Sequence, residues 1–232
     1  MAEKSRTLAL RVLTMVAGVA LVACAIALCR HAGIGTTAIN GPAAVTAEAA
    51  RRAGVGWLTL GVTTFFLNLA LFLGQVLLLR RDFQPLQTLQ LAVLLVLSTC
   101  VDLWASLFDS IVFDSYPPRL AACFLGAVVM GLGVHLELRA GLLMTPGDAF
   151  VRALAQVTGH PYSRDKVIVD ISLACLGTVL SFSLLGGLYH VREGTLVSAL
   201  LVGPSIAVWG TVLDGSMDWI LGRRDTSDEP AR

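Results

Sequence analysis

The chain has 232 residues, 56% hydrophobic and 14% charged, with a mean hydropathy of +0.76 and a net charge of +1. That balance excludes an ordinary water-soluble domain; the net charge says nothing about nucleic acid, but with no basic block interleaved with aromatics none is expected as a partner. The lipid bilayer is the expected solvent.

Crossing a hydrocarbon core of about 30 Å takes roughly 20 apolar helical residues. Six stretches meet or approach that length, at residues 8–29, 55–79, 86–108, 120–138, 167–188 and 195–213. In the first, Leu21-Val22-Ala23-Cys24 follows a basic start and resembles a lipoprotein cleavage box. Apolar sequence continues through Cys29, so the segment reads as a retained first helix. The fourth and sixth stretches are the shortest, and Pro204 is expected to bend the sixth because it lacks an amide donor and crowds the preceding turn. Cys24, Cys29, Cys100, Cys123 and Cys175 all fall in apolar segments, with no CxxC pair and no histidines at zinc spacing. They read as small buried hydrophobes, and no metal is expected.

The chain carries an internal repeat. A shift of 112 places Leu73, Gly74, Arg80, Val96, Thr99 and Asp102 on Leu185, Gly186, Arg192, Val208, Thr211 and Asp214. Upstream, a shift of 108 places Arg11, Gly18, Leu28, Ala32, Gly33 and Thr37 on Arg119, Gly126, Leu136, Ala140, Gly141 and Thr145. Three spans per half make the second half enter the bilayer from the other side, so the repeat is inverted. The expected organisation is all-α: a polytopic bundle of six transmembrane helices, with one three-helix repeat at 1–110, its inverted copy at 111–221, and a polar cytoplasmic tail at 222–232. With the N-terminus inside, twelve Lys and Arg residues fall on the cytoplasmic side against five opposite, which places both termini in the cytoplasm.

The segments after the first and fourth spans are too long for tight hairpins. Each has a glycine-led entry and then a helix start: Gly33 to Pro42 in the first copy, Gly141 to Asp148 in the second. Thr145 suits a cap, Pro146 the first helical position, and Asp148 a weak capping box; Asn40 or Gly41 caps before Pro42 in the other copy. The short helices that follow lie along the headgroups, or dip into the protein from opposite faces with their amino ends forming an anion site. The second arrangement requires protein or a wet cavity around the irregular backbone.

Ionisable residues inside spans cost on the order of 3 kcal/mol each, so each needs a partner or a role. Asp102 lies about 24 Å along an ideal helix from Leu86, toward the outer face, while Asp214 falls toward the inner face. Crossed pairs, Asp102 with Arg192 and Asp214 with Arg80, would pin the halves together as static anchors or as gates. Asp170 sits just inside the fifth span, where it either neutralises a nearby cation or faces a cytoplasmic vestibule. Asn68 and Gln75 share one face of the second span and suit interhelical hydrogen bonds. His135 and Glu137 point to different faces. HExxH, a serine nucleophile elbow and a phosphate-binding glycine loop are all missing, so neither an enzyme nor a cofactor is expected.

Several strings carry a likeness: Pro146-Gly147-Asp148, the approach from Arg164 to Asp170, Gly194-Thr195-Leu196-Val197-Ser198-Ala199-Leu200-Leu201-Val202-Gly203-Pro204, and the run ending Cys100-Val101-Asp102-Leu103. In these the chain resembles the bacterial YczE/YyaS/YitT group of small integral membrane proteins. It departs from that pattern at Asn40-Gly41-Pro42, where an acidic residue is expected. The resemblance implies a bacterial inner-membrane location and a six-helix core. The function expected from the sequence is a small secondary transporter or facilitator for a small polar or anionic solute, as a homodimer, with Asn40, Thr145, Asp148 and Asp170 as substrate-binding residues. A non-transporting scaffold or regulatory partner is the alternative.

Overall fold

The computed structural model describes residues 2–220, so the tail at 222–232 lies outside the described residues. The described chain folds into eight α-helices: α1 (Ala2–His31), α2 (Gly41–Arg52), α3 (Leu60–Leu79), α4 (Gln90–Phe108), α5 (Tyr116–Ala140), α6 (Pro146–Thr158), α7 (Tyr162–Leu185) and α8 (Glu193–Ile220). All except α2 and α6 are long and apolar enough to cross a bilayer, which makes this a multi-pass membrane protein. Both described ends lie on one face, called here the terminal face; the other is the distal face.

Several spans are longer than their hydropathy suggests. Rather than being the shortest, the fourth and sixth run over Tyr116–Ala140 and Glu193–Met217. Prolines at the first positions of α5 suit a helix start, and α8 is helical straight through Pro204. The fifth span begins at Tyr162, so Lys166 is helical and buried instead of lying in a cytoplasmic loop. In each case polar residues in the terminal turns hide the helix from a hydropathy count.

At the centre, α1 packs on α5 more extensively than any other pair. Their backbones approach at two glycines: a methyl on Gly18 would stand 2.7 Å from the Gly133 carbonyl oxygen, and one on Gly133 2.8 Å from that of Gly18. Lipid is as apolar as a leucine side chain, so such close van der Waals packing drives helix association here. Val19, Val22, Ile26, Met130 and Val134 complete the buried seam. Outward from it, α4 packs on α1 as α8 does on α5, and α3 on α4 as α7 does on α8. The short helices cross between the halves, α2 lying on α7 and α6 on α3. Each contact has its repeat image, so the two halves interlock by exchanging their short helices.

Neither short helix lies along the surface. Residues 41–45 of α2 are buried while Arg51 and Arg52 are exposed; Pro146 to Ala149 of α6 are buried while Gln156 to Thr158 are exposed. Each therefore points its amino end into the protein and returns to the face it came from. The two tips meet at equivalent residues, since a methyl on Gly147 would lie 3.0 Å from Cδ1 of Ile39. At the distal end of α2, Glu48 pairs with Arg51 at 2.7 Å and with Arg52 at 2.9 Å. The hydrogen-bonded Arg51 guanidinium holds the Glu48 carboxyl down at about 2, against the upward push of burial, with Arg52 adding to the pull.

Two outcomes follow. Gly18→Leu and Gly133→Leu each destabilise the detergent-solubilised protein by about 1–3 kcal/mol or more through overpacking, read by denaturant unfolding. A depressed carboxylate stabilises the fold above its ordinary value near 4.5 and loses that contribution as pH falls toward about 2. Amide exchange of α2 is therefore expected to stay slow at pH 4 in the wild type and to speed up in Glu48→Gln at the same pH.

Candidate functional site

The amino end of α6 is held by polar side chains from three spans. The Thr145 amide donates to Glu137 Oε2 at 2.6 Å, and the Gly147 amide donates to Asn68 Oδ1 at 2.9 Å. Gly147 has to be a glycine because a methyl there would stand 2.9 Å from that oxygen. The expected capping box does not form. The Thr145 hydroxyl instead donates to Asp148 Oδ2 at 2.9 Å, which turns the carboxylate away from the helix start and toward α7.

There Asp148 Oδ1 accepts from the Tyr162 hydroxyl at 3.1 Å and lies 3.1 Å from Lys166 Nζ. One turn further along α7, Asp170 Oδ1 lies 3.2 Å from the same ammonium. Lys166 is fully buried and both aspartates are 2% exposed, so this is a dehydrated ion triad in the protein interior. Removing such charges from water costs several kcal/mol per ion, and only close mutual pairing offsets it. Of the four expected substrate-binding residues, Thr145, Asp148 and Asp170 come together here. Asn40 does not join them: it sits at the amino end of α2 in the other half, where its Nδ2 donates to Thr37.

The opposite side of α6 faces space. A cavity of about 300 Å³ opens toward the terminal face, lined by Gln75 and Leu79 of α3, Gln84, Leu86, Gln87 and Gln90 around the start of α4, the 141–144 entry, and Ala149, Arg152, Ala153 and Gln156 of α6. None of the four expected residues lines it. Gln75 and Gln90 are buried, and Oε1 of each accepts no hydrogen bond from the described residues. Sequence reasoning singled out Gln75 alone; the run of glutamines at 84, 87 and 90, spaced to share a helical face, was the available signal for the others.

The repeat shifts identify the matching place at the distal face, where hydrogen bonds close the seam between entry segment and opposite half, while Val191, Leu196 and Ala199 line an apolar groove of about 590 Å³ on the α7–α8 side. Leu142, Met144 and Pro146 correspond to Ile34, Thr36 and Ala38, while Leu79, Leu86, Gln87 and Gln90 correspond to Val191, Ser198, Ala199 and Val202. The Thr36 amide donates to the His190 carbonyl at 3.0 Å and lies 3.1 Å from Thr195 Oγ1. The Gly194 amide donates to the Ile34 carbonyl at 2.9 Å, and the Ala38 amide to Ser198 Oγ at 2.8 Å. Gly35, at φ 147°, allows this approach, since a methyl there would lie 2.5 Å from the Thr195 amide nitrogen.

The crossed ion pairs are not formed. Asp102 accepts from the Thr59 hydroxyl at 2.7 Å and the Gly61 amide at 2.8 Å, so it holds the amino end of α3. Arg192 pairs with its neighbour Glu193 at 3.1 Å. Asp214 lies 3.3 Å from both His135 and Arg139 of α5, the helix on which α8 packs, and Arg80 is exposed past the end of α3. Each aspartate finds its partners within its own half.

A family model matches residues 9–211, a stretch that takes in most of both repeats, the triad and the cavity. The chain belongs to DUF6198, a family of unknown function. No curated protein and no solved structure matches it. The matched stretch ends before Asp214, so the triad, the cavity and the distal closure all lie within this DUF6198 region.

Lys166→Met, which leaves two buried carboxylates without their cation, is expected to destabilise the protein by about 3–5 kcal/mol. Adding Asp148→Asn and Asp170→Asn to it recovers most of that loss, as read by denaturant unfolding in detergent.

Proposed function

We propose that this protein is a small secondary transporter or facilitator that passes a small polar or anionic solute between its inverted repeats. The observation that carries the reading is the difference between equivalent places: the interface between entry segment and opposite half is an open polar cavity at one face and a hydrogen-bonded closure at the other. Inverted repeats supply two such interfaces, and alternating access consists of opening one while closing the other. The distal closure rests on about four hydrogen bonds at roughly 0.5–1.5 kcal/mol net each. A total of that order is within reach of the differential affinity by which a ligand shifts a two-state equilibrium.

The rest of the reading follows from charge and likeness. The Lys and Arg bias supports a cytoplasmic terminal face, so the cavity faces inward, and the resemblance to the YczE/YyaS/YitT group supports the bacterial inner membrane. Six spans make a thin wall around a pathway, which favours a homodimer.

The test uses single cysteines in a cysteine-free background, in inside-out and right-side-out vesicles. Gln90→Cys reacts rapidly with a membrane-impermeant thiol reagent supplied at the terminal face. Ser198→Cys reacts slowly from the distal face, as the closure opens, and crosslinking Thr36→Cys to Thr195→Cys abolishes that slow reaction while sparing Gln90→Cys. If Ser198→Cys never reacts from the distal face, the cavity is a one-sided vestibule and the transport reading fails.

A further inference from the structure

We infer that the glutamine-lined cavity is a binding site for a small organic carboxylate bearing further hydrogen-bonding groups. The inference rests on the transport reading above and adds the substrate class.

Three features of the cavity point to that chemistry. Its volume of about 300 Å³ sits at the lower end of the range of metabolite and cofactor sites, roughly 300–1,000 Å³. Among its lining residues the single charged group is Arg152, whose planar guanidinium matches a carboxylate through two parallel hydrogen bonds. No lining carboxylate competes for that guanidinium, and among the described residues its contact is a weak one, Nη1 at 3.8 Å from the Met144 sulfur.

The amides give the second half of the recognition. Gln75, Gln84, Gln87, Gln90 and Gln156 surround the cavity, and each side chain both donates and accepts. A buried acceptor without a partner costs about 1–3 kcal/mol, and the carbonyl oxygens of Gln75 and Gln90 are in that state. A hydroxyl or ammonium group on the solute relieves both. A purely apolar acid leaves them unanswered, and a cation meets Arg152. At the matching distal place stand Gly187, Val191, Ala199 and Val202, in the positions of Gln75, Leu79, Gln87 and Gln90. The amide set belongs to one copy only, as expected of a site and not of a packing device shared by both.

Purified protein in nanodiscs is screened by thermal shift and calorimetry with glutamate, succinate, acetate, glycerol, spermidine and inorganic phosphate. Glutamate is expected to raise the melting temperature most, with succinate, which brings no donor, and acetate weaker, and glycerol and spermidine inactive. Arg152→Gln weakens binding about tenfold to a hundredfold, the range for a charged hydrogen-bonded pair, while Arg152→Lys retains part of it. Gln75→Leu and Gln90→Leu each weaken glutamate about tenfold and leave acetate unchanged. Binding of phosphate but of neither glutamate nor succinate overturns the inference, as does carboxylate binding indifferent to Arg152. Flux of glycerol or spermidine that depends on Gln90 and not on Arg152 also overturns it while sustaining transport. Carboxylate binding with the predicted mutant pattern, but no flux in proteoliposomes, sustains the site and removes the transport reading.

Discussion

A helix that starts inside a bilayer has amide groups that no water can reach, and everything particular about this fold follows from answering them. The two short helices begin in the protein interior, so each needs acceptors supplied from neighbouring spans. For α6 these are the Glu137 carboxylate and the Asn68 amide oxygen. For the segment leading into α2 they are the His190 carbonyl and the Thr195 and Ser198 hydroxyls. Asn68 and Glu137, polar residues inside spans, are thus accounted for by the backbone at the start of a short helix. The exchange of short helices between halves has the same cause, because the acceptors for the segment leading into α2 and one of the two for α6 lie in the opposite repeat.

The ion triad extends this logic from backbone to side chains. Lys166 and Asp170 are one turn apart on α7, and Asp148 reaches them from α6, so a single ammonium ties the re-entrant helix to a full span. Tyr162 and Thr145 take up the remaining acceptor capacity of Asp148. The dry, charged side of α6 therefore cannot slide without exposing buried ions, whereas its other side borders open space. One short helix carries an anchor and a cavity wall on opposite faces, and movement of the wall would be felt at the anchor.

Much of this was legible in the sequence. Hydropathy gives six spans because apolar length is a direct requirement of the bilayer, and the residue shifts give the repeat. The glycine-led entries mark both short helices. What remained hidden was hidden for physical reasons. Lys166 looks like a loop residue beside Arg164 and Asp165, and only its burial against two carboxylates makes it part of a helix in the interior. The crossed pairing of Asp102 and Asp214 with arginines of the other half failed because depth along a helix says nothing about azimuth. Asp102 turns toward the start of α3, where free amides and a hydroxyl are closer than any guanidinium. Asp148 was placed by its spacing as a cap, but spacing cannot register the competition from Lys166 and Tyr162 that draws it away.

The two copies of the repeat have diverged where a transporter would use them differently. At the distal face, glycine, alanine and valine let backbone meet backbone, and main-chain amides make the closure; at the terminal face the same positions carry glutamine side chains long enough to hold the walls apart. Had the halves differed only in conformation, either end could open equally well, and the resting state would be a matter of chance. Here the residues themselves bias the resting state. Short side chains favour closure at one end, and amides whose carbonyl oxygens lack partners favour a liganded cavity at the other. On the transport reading, a solute that answers those oxygens would favour whichever state lets it reach them best. It would offset the hydrogen bonds that hold the distal side shut only by as much as it binds the distal-open state more tightly than the resting one.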